Sequence, residues 1–154
     1  MVEAILKMRQ WIYFLKLLDN MRQELLNIPL KPDKYKKGHI EGDFQSDVFK
    51  YLRGIWWHCY HPPDIWYSTK LVDAIFTTAT GHIFVAELKK TDGYTFNLSQ
   101  FETSQIFYLE YCMNVWAEAY VMVYSQKTQT YWGGDYKYLK ENQNGVGGVK
   151  LFTK

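Results

Sequence analysis

Three side chains in this sequence could share one reaction: Asp73, Glu87 and Lys89. Glu87 and Lys89 stand one residue apart at the end of an apolar run, in the segment GHIFVAELKKT at 81–91. Side chains on a strand alternate faces, so this acid and this lysine point the same way. Asp73 lies in the preceding apolar run, LVDAIFTTA, and residues 79–81 read as a tight turn that joins the two runs as an antiparallel hairpin. The turn sets Asp73 opposite or nearly opposite Glu87, with Cβ atoms roughly 4.5–5.5 Å apart. Carboxylates that close repel each other unless a cation stands between them. Mg²⁺ suits such a pair, because it takes oxygen ligands and keeps waters for substrate phosphates; the backbone carbonyl of Leu88 would add an oxygen. Lys89 would hold the attacking water or offset charge on a phosphate in the transition state. The metal would lower the pKa of its water and polarise the phosphoryl oxygen. The chemistry this implies is phosphodiester hydrolysis. An acid and a lysine two apart on a strand more often line a solvated face. Asp73 argues for the functional alternative, since an acid inside a strand that is apolar on both faces is costly unless paired.

Several elements must position these groups. Residues 2–28 predict one helix: Ile5, Met8, Ile12 and Leu15 recur at three and four, and Trp11, Phe14, Leu18, Met21 and Leu25 widen the stripe. Its width suits packing on the core or on a second subunit. Pro29 and Pro32 close it. The next segment, KPDKYKKG at 31–38, is either a solvated linker or an arm that contacts phosphates. A second helix is expected from about Glu41 to Ile55, with Phe44, Val48, Phe49, Leu52 and Ile55 on its apolar face and Glu41 and Gln45 sharing another. Residues 56–60 predict a short strand. The two runs of the hairpin follow, both central strands covered on two sides. TDGYTFN reads as a loop, and 98–115 as a helix opened by a Ser99–Glu102 capping box, with Phe101, Ile106, Leu109 and Met113 buried. A strand centred on 120–124 comes next. In the tail GGDY at 133–136 reads as a turn, and 149–152 as a further edge strand. The order is α, α, β, β, β, α, β with a mixed tail: an α/β fold, a small mixed sheet flanked by helices.

The chain has 154 residues, 47 % of them hydrophobic, which suits one domain with a single core. Aromatics reach 18 %, with thirteen Tyr and six Trp, enough to serve a surface as well as a core. A net charge of +2 is too mild to identify a nucleic-acid partner by itself. Cys59 and Cys112 show no CxxC spacing and read as reduced thiols of a cytosolic protein. Glu3, Lys7, Arg9 and Lys16 break the apolar N-terminus, so no signal peptide is expected, and no run is clean enough to span a bilayer.

The ordered set of Glu41, Asp73, Glu87-Leu88-Lys89 and a helix bearing Gln105 resembles the PD-(D/E)xK nuclease superfamily, and most nearly the RecU-type Holliday-junction resolvases and their phage relatives. In those an acid-x-Lys strand is followed by a Thr, a loop with Phe-x-Leu and a helix entered through a Gln. Thr91, Phe96, Leu98 and Gln105 fall accordingly. The resemblance spans about 38–125. It implies an αβββαβ restriction-endonuclease-like core, with residues 1–30 as an extra N-terminal helix and 126–154 as a C-terminal extension of a single nuclease domain. It implies Asp73 and Glu87 as metal ligands, Lys89 as the catalytic lysine and Glu41 as an additional acid near the metal. Gln105 would orient groups at the site or contact the DNA backbone. Val72 stands where the superfamily's name has Pro, and only a dozen residues separate Tyr60 from Asp73, where the resolvases carry a protruding stalk.

The function expected is therefore a Mg²⁺-dependent endonuclease (Mn²⁺ is the alternative ion) that acts on branched DNA as a homodimer, without an organic cofactor or a membrane partner. Its location would be cytoplasmic, or the host cell if a phage or virus encodes it. Lys34, Lys36, Lys37, Lys70, Lys90 and Lys127 are candidates for phosphate contacts. A duplex-specific restriction, homing or repair-type endonuclease would use the same fold and site. A DNA-binding module that does not cleave is the rival of another class, disfavoured because Asp73, Glu87 and Lys89 are all present. His58, Cys59 and His61 suggest zinc, but the second pair of ligands that a structural site needs is missing.

Overall fold

The computed structural model describes all residues except 56, 63–71, 79 and 116. Among the described residues four helices flank a five-stranded sheet: α1 (Val2–Leu26), α2 (Ile40–Gly54), β1 (His58–Tyr60), β2 (Ala74–Thr77), β3 (Ile83–Thr91), β4 (Thr95–Phe96), α3 (Thr103–Met113), β5 (Glu118–Ser125), β6 (Thr130–Asp135), α4 (Tyr136–Glu141) and β7 (Val149–Lys150). The main sheet runs β1-β2-β3-β5-β6. All its neighbours are antiparallel except β3 and β5, which are parallel and joined through α3. The expected α/β class, with a small mixed sheet between helices, is the architecture observed.

The central strands have no solvated face. Phe84, Ala86 and Leu88 of β3 pack with Phe44, Val48 and Leu52 of α2 and with Leu18, Met21 and Leu25 of α1. Val85 points the other way and joins Leu109 of α3, Val121 and Val123 of β5 and Leu139 of α4. This is the burial that unbroken apolar runs encode. Gly81, at φ +83°, closes the turn before β3 by donating its N–H to the Thr78 carbonyl at 3.0 Å.

Several expectations are corrected. The helix expected over 98–115 begins only at Thr103. Leu98–Gln100 is a separate 3-10 turn, capped by the Asn97 side chain accepting from the Ser99 N–H, and Phe101 is extended. Ser99 and Glu102 therefore form no capping box. The buried face of α3 is Gln105, Leu109 and Cys112, while Met113 is exposed. GGDY is not a turn: Gly133, Gly134 and Asp135 lie in β6, and Tyr136 starts α4. The glycines are there for space, since a Cβ on Gly133 would fall 2.7 Å from the Tyr120 hydroxyl and one on Gly134 2.5 Å from the Trp132 ring. The 149–152 strand does not edge the main sheet. Val149–Lys150 pairs with Thr95–Phe96, inside the expected loop, as a separate two-stranded sheet.

The 31–38 arm is tied down rather than loose. Asp47 of α2 accepts from the Lys31 N–H at 2.9 Å and the Tyr35 hydroxyl at 2.7 Å, and Asp43 accepts from the Lys36 N–H at 2.7 Å. Both cysteines are free and buried. Among the described residues no helix is long and apolar enough to cross a membrane.

Candidate active site

The β2–β3 register pairs Ala74 with Ala86, which places Asp73, one residue ahead of β2, across from Glu87. Each acid is held by the other's strand: Glu87 Oε2 accepts from the Asp73 N–H at 3.2 Å, and Asp73 Oδ2 from the Leu88 N–H at 2.9 Å. Glu87 has no solvent-exposed surface. Its other oxygen, Oε1, lies 3.0 Å from Lys89 Nζ and 2.6 Å from Gln105 Nε2. Period-two alternation thus delivers the acid and lysine side by side, as their spacing requires. Leu88, between them, turns its side chain into the opposite core layer.

Gln105 sits in the first turn of α3 and has two fixed tasks. Its Oε1 accepts from the Glu102 backbone N–H at 2.9 Å, completing a reciprocal capping box with Glu102. Because that bond claims the oxygen, the amide must present its NH₂ to Glu87. The capping box that forms is E-x-x-Q at 102–105, a signal present in the sequence. Phe101 is a contributor that sequence reasoning placed only on a helix face: Lys89 Nζ lies 5.9 Å from its ring centroid. Phe96 holds that ring edge-on at 5.4 Å. Thr91 supports the same loop by donating its hydroxyl to the Thr95 carbonyl at 2.6 Å, and Ser125 donates to the Gly93 carbonyl at 2.7 Å.

Glu41 comes from the first turn of α2, in the other layer. Burial pushes its carboxyl up; Lys89 and the Lys90 backbone N–H pull it down, Asp73 adds repulsion, and the balance is a raised pKa. Burial and then the Asp73 charge drive Glu87 up to about 8 against the pull of Lys89. Burial works to lower the Lys89 ammonium, but Glu87, Asp73 and Glu41 together outweigh it and leave it raised. Each of these three groups is thus perturbed by burial and by charged neighbours in the site, a pattern that clusters at functional sites.

Among the described residues no three His, Cys, Asp or Glu side chains stand together in a metal-holding group. The site therefore offers the Asp73–Glu87 pair, with Glu41 not closed onto it. The donor chemistry fits a hard divalent cation: the oxygens are carboxylate, and the like charges are crowded and desolvated. The His58-Cys59-His61 group does not converge. Cys59 is buried and His58 exposed on the alternating faces of β1, and His61 packs edge-on against Phe49 at 5.4 Å.

Of the candidate phosphate contacts, the structure brings Lys37, Lys90 and Lys127 together. With Gly38, Ile40, Asp92 and Gln126 they line an open groove of about 580 Å³. This groove borders the end of β3 and the start of α2. Lys90 is paired with Asp92 at 3.1 Å. Lys34 and Lys36 are exposed on the arm and do not line the groove. Lys70 lies outside the described residues.

No protein-family model matches the chain, and no curated protein matches it in sequence. Among solved structures it is similar to Archaeoglobus fulgidus Hjc, a Holliday junction resolvase from an archaeal hyperthermophile. The TM-score is 0.53 and the identity 13 %, over 71 % of this chain and 86 % of that one. The likeness is one of fold, a mixed sheet flanked by helices.

Proposed function

We propose that this chain is an endonuclease that hydrolyses phosphodiester bonds in DNA, with branched DNA as its substrate and a divalent metal as its cofactor. One observation carries the reading. A buried acid, Glu87, is shared by a lysine at 3.0 Å and an amide at 2.6 Å and faces a second acid across the hairpin. One solved structure that shares the fold is a Holliday junction resolvase, which supports the choice of substrate.

Asp73, Glu87 and the Leu88 carbonyl would hold Mg²⁺, or Mn²⁺ in its place, with Glu41 as the further acid. Bound there, the ion would polarise a phosphoryl oxygen and supply a water of lowered pKa. The residues themselves do the following. Lys89 puts a positive charge, only 14 % exposed, where a pentacoordinate phosphate would develop negative charge; a preorganised cation there stabilises the transition state without reorganisation. Gln105, its amide fixed by Glu102, is a positioning residue that orients the Glu87 carboxylate. Phe101 places its ring face 5.9 Å from the Lys89 ammonium and helps hold that charge beside the acids. Lys37, Lys90 and Lys127 hold flanking phosphates in the groove, which sets the register of the backbone but not its sequence.

The test is cleavage of a labelled four-way junction in competition with a linear duplex of the same arms, with Mg²⁺ and with EDTA. Paired nicks in the junction that require metal are expected. Equal cutting of both substrates would leave a duplex endonuclease, and no cutting of either by folded protein with Mg²⁺ or Mn²⁺ would overturn the nuclease reading.

A further inference from the structure

Helix α2 sorts its charges by face. At about 100° per residue, Phe44, Val48 and Leu52 share the side that packs on the sheet. Glu41 falls on that side too, at the helix start, where it meets Lys89 and Asp73. Asp43 and Asp47 fall on one flank and accept from the 31–38 arm. The opposite flank holds Gln45, Ser46, Phe49, Lys50 and Arg53. All three acids of α2 are therefore turned elsewhere, while both of its cations share one flank. Lys50 and Arg53 are exposed, and no salt bridge among the described residues involves either.

This flank is one wall of a groove of about 310 Å³, and His61 is the other. The imidazole stands edge-on to Phe49 at 5.4 Å. Strand register places the groove beside the candidate active site. Tyr60 pairs with Ile75, so the chain leaving β1 at His61 is level with the chain entering β2. Because β3 is antiparallel to β2 and parallel to β5, Glu87, Lys89 and the chain leaving β5 toward Lys127 lie toward that same end. Across it the order is His61, Asp73, Glu87 with Lys89, then Lys127. Neighbouring strands are about 4.8 Å apart, so β1 and β5 lie about 14 Å apart with the acid-bearing hairpin between them. The groove of Lys37, Lys90 and Lys127 is on the β5 side and the groove of Lys50, Arg53 and His61 on the β1 side. Ile40 lines the first and Gly42 the second, with Glu41 between them in sequence.

The geometry points to the Lys50–Arg53–His61 groove as a second phosphate-binding track, which holds DNA on the other flank of α2 from Lys37, Lys90 and Lys127. This rests on the nuclease reading of the acid–lysine pair and extends it to the path the substrate takes away from that pair. The groove offers what a phosphodiester oxygen accepts. Lys50 and Arg53 supply charge, and the Gln45 amide and Ser46 hydroxyl supply neutral donors. None of its lining residues is acidic. From Gly42 to Arg53 the helix runs about 17 Å, which spans several nucleotides at about 3.4 Å of rise each. A track of that length suits a polymer of phosphates rather than a single free anion.

Fluorescence anisotropy with a labelled four-way junction in EDTA tests this by binding alone. Lys50→Gln/Arg53→Gln removes both charges and keeps most of each side-chain stem. Both positions are exposed, so thermal melts of the variant should match the wild type. Its Kd should rise ~10-fold at about 150 mM salt, and the slope of log Kd on log salt should become shallower by about 2. Methylphosphonates placed one at a time then map each track. Phosphates whose neutralisation weakens the wild type but not Lys50→Gln/Arg53→Gln should form one run. Those to which Lys37→Ala/Lys90→Ala/Lys127→Ala has become insensitive should form a second, separate run. Unchanged affinity and slope in the double variant, beside weaker binding by the triple variant, overturns the second track and leaves the nuclease reading standing. A single run of phosphates shared by both variants overturns the placement on two flanks. A wild type that binds no DNA overturns this inference and the nuclease reading together.

Discussion

Replacing Glu87 by Gln should make the metal-free protein more stable in mild alkali. The wild-type carboxyl is fully buried beside Asp73, and its pKa rises from an ordinary 4.5 to about 8. A raised folded-state pKa means that the folded protein binds the proton more tightly than the unfolded chain. Stability is therefore complete below about pH 4.5, declines as pH rises, and reaches its floor above about 8. At about 1.4 kcal/mol per tenfold change in proton affinity, the loss has a ceiling of about 5 kcal/mol. Glu87→Gln abolishes this titration. It still accepts from the Asp73 N–H, but it sets a second NH₂ against Gln105 and Lys89, at a cost of about 1–2 kcal/mol. The variant should be less stable than wild type by up to about 1 kcal/mol at pH 5, where the wild type has already lost a little, and more stable by about 3 kcal/mol at pH 8.5, roughly 6–10 °C in Tm. Urea melts in EDTA at half-unit steps from pH 5 to 8.5 measure this. Adding Mg²⁺ at pH 8 should raise wild-type stability and leave the variant unchanged, by mass action on the folded state. Parallel stability curves for the two proteins across this range would refute the account of a strained acid pair.

Gln105→Leu removes both the cap on Glu102 and the donor to Glu87; it should cost about 2–3 kcal/mol in a denaturant melt. It should also lower kcat by about 10–100-fold with KM little changed, the signature of a positioning residue in steady-state assays. The triple variant Lys37→Ala/Lys90→Ala/Lys127→Ala should bind DNA more weakly whatever its sequence, and the slope of log Kd on log salt, from fluorescence titrations, should become shallower by about 2–3. Gly133→Ala pushes a methyl against the Tyr120 hydroxyl at 2.7 Å and should destabilise the sheet by about 1–3 kcal/mol, read by thermal melts.

The acid–lysine pair could be read from sequence because it depends on local rules. Strand alternation fixes Glu87 relative to Lys89, and a short turn ending in Gly81 fixes Asp73 relative to Glu87. The start of α3 was ambiguous, because S-x-x-E at 99–102 and E-x-x-Q at 102–105 are rival caps in overlapping positions. Tertiary structure decides between them: Asn97 takes the Ser99 N–H, and Phe101 must stay extended to lie beneath Lys89. The Gly133-Gly134 pair carries the composition of a turn, yet its cause is a tyrosine on the neighbouring strand, which no local window contains. Periodicity in α1 marked its apolar residues but could not say which stripe the core would cover. The resemblance pointed to RecU-type and phage resolvases, whereas a solved structure similar to this chain is archaeal; a fold is shared where the sequence keeps little.

The central claim is that Asp73, Glu87 and Lys89 together hydrolyse phosphodiester bonds. Single-turnover nicking of a labelled four-way junction in Mg²⁺ by wild type, Asp73→Asn and Lys89→Ala, beside gel-shift binding of the same junction in Ca²⁺, tests it most directly. The account predicts that both variants keep their fold and bind the junction within about threefold of wild type, but nick it at least ~10³-fold more slowly. Nicking by either variant at the wild-type rate would contradict it.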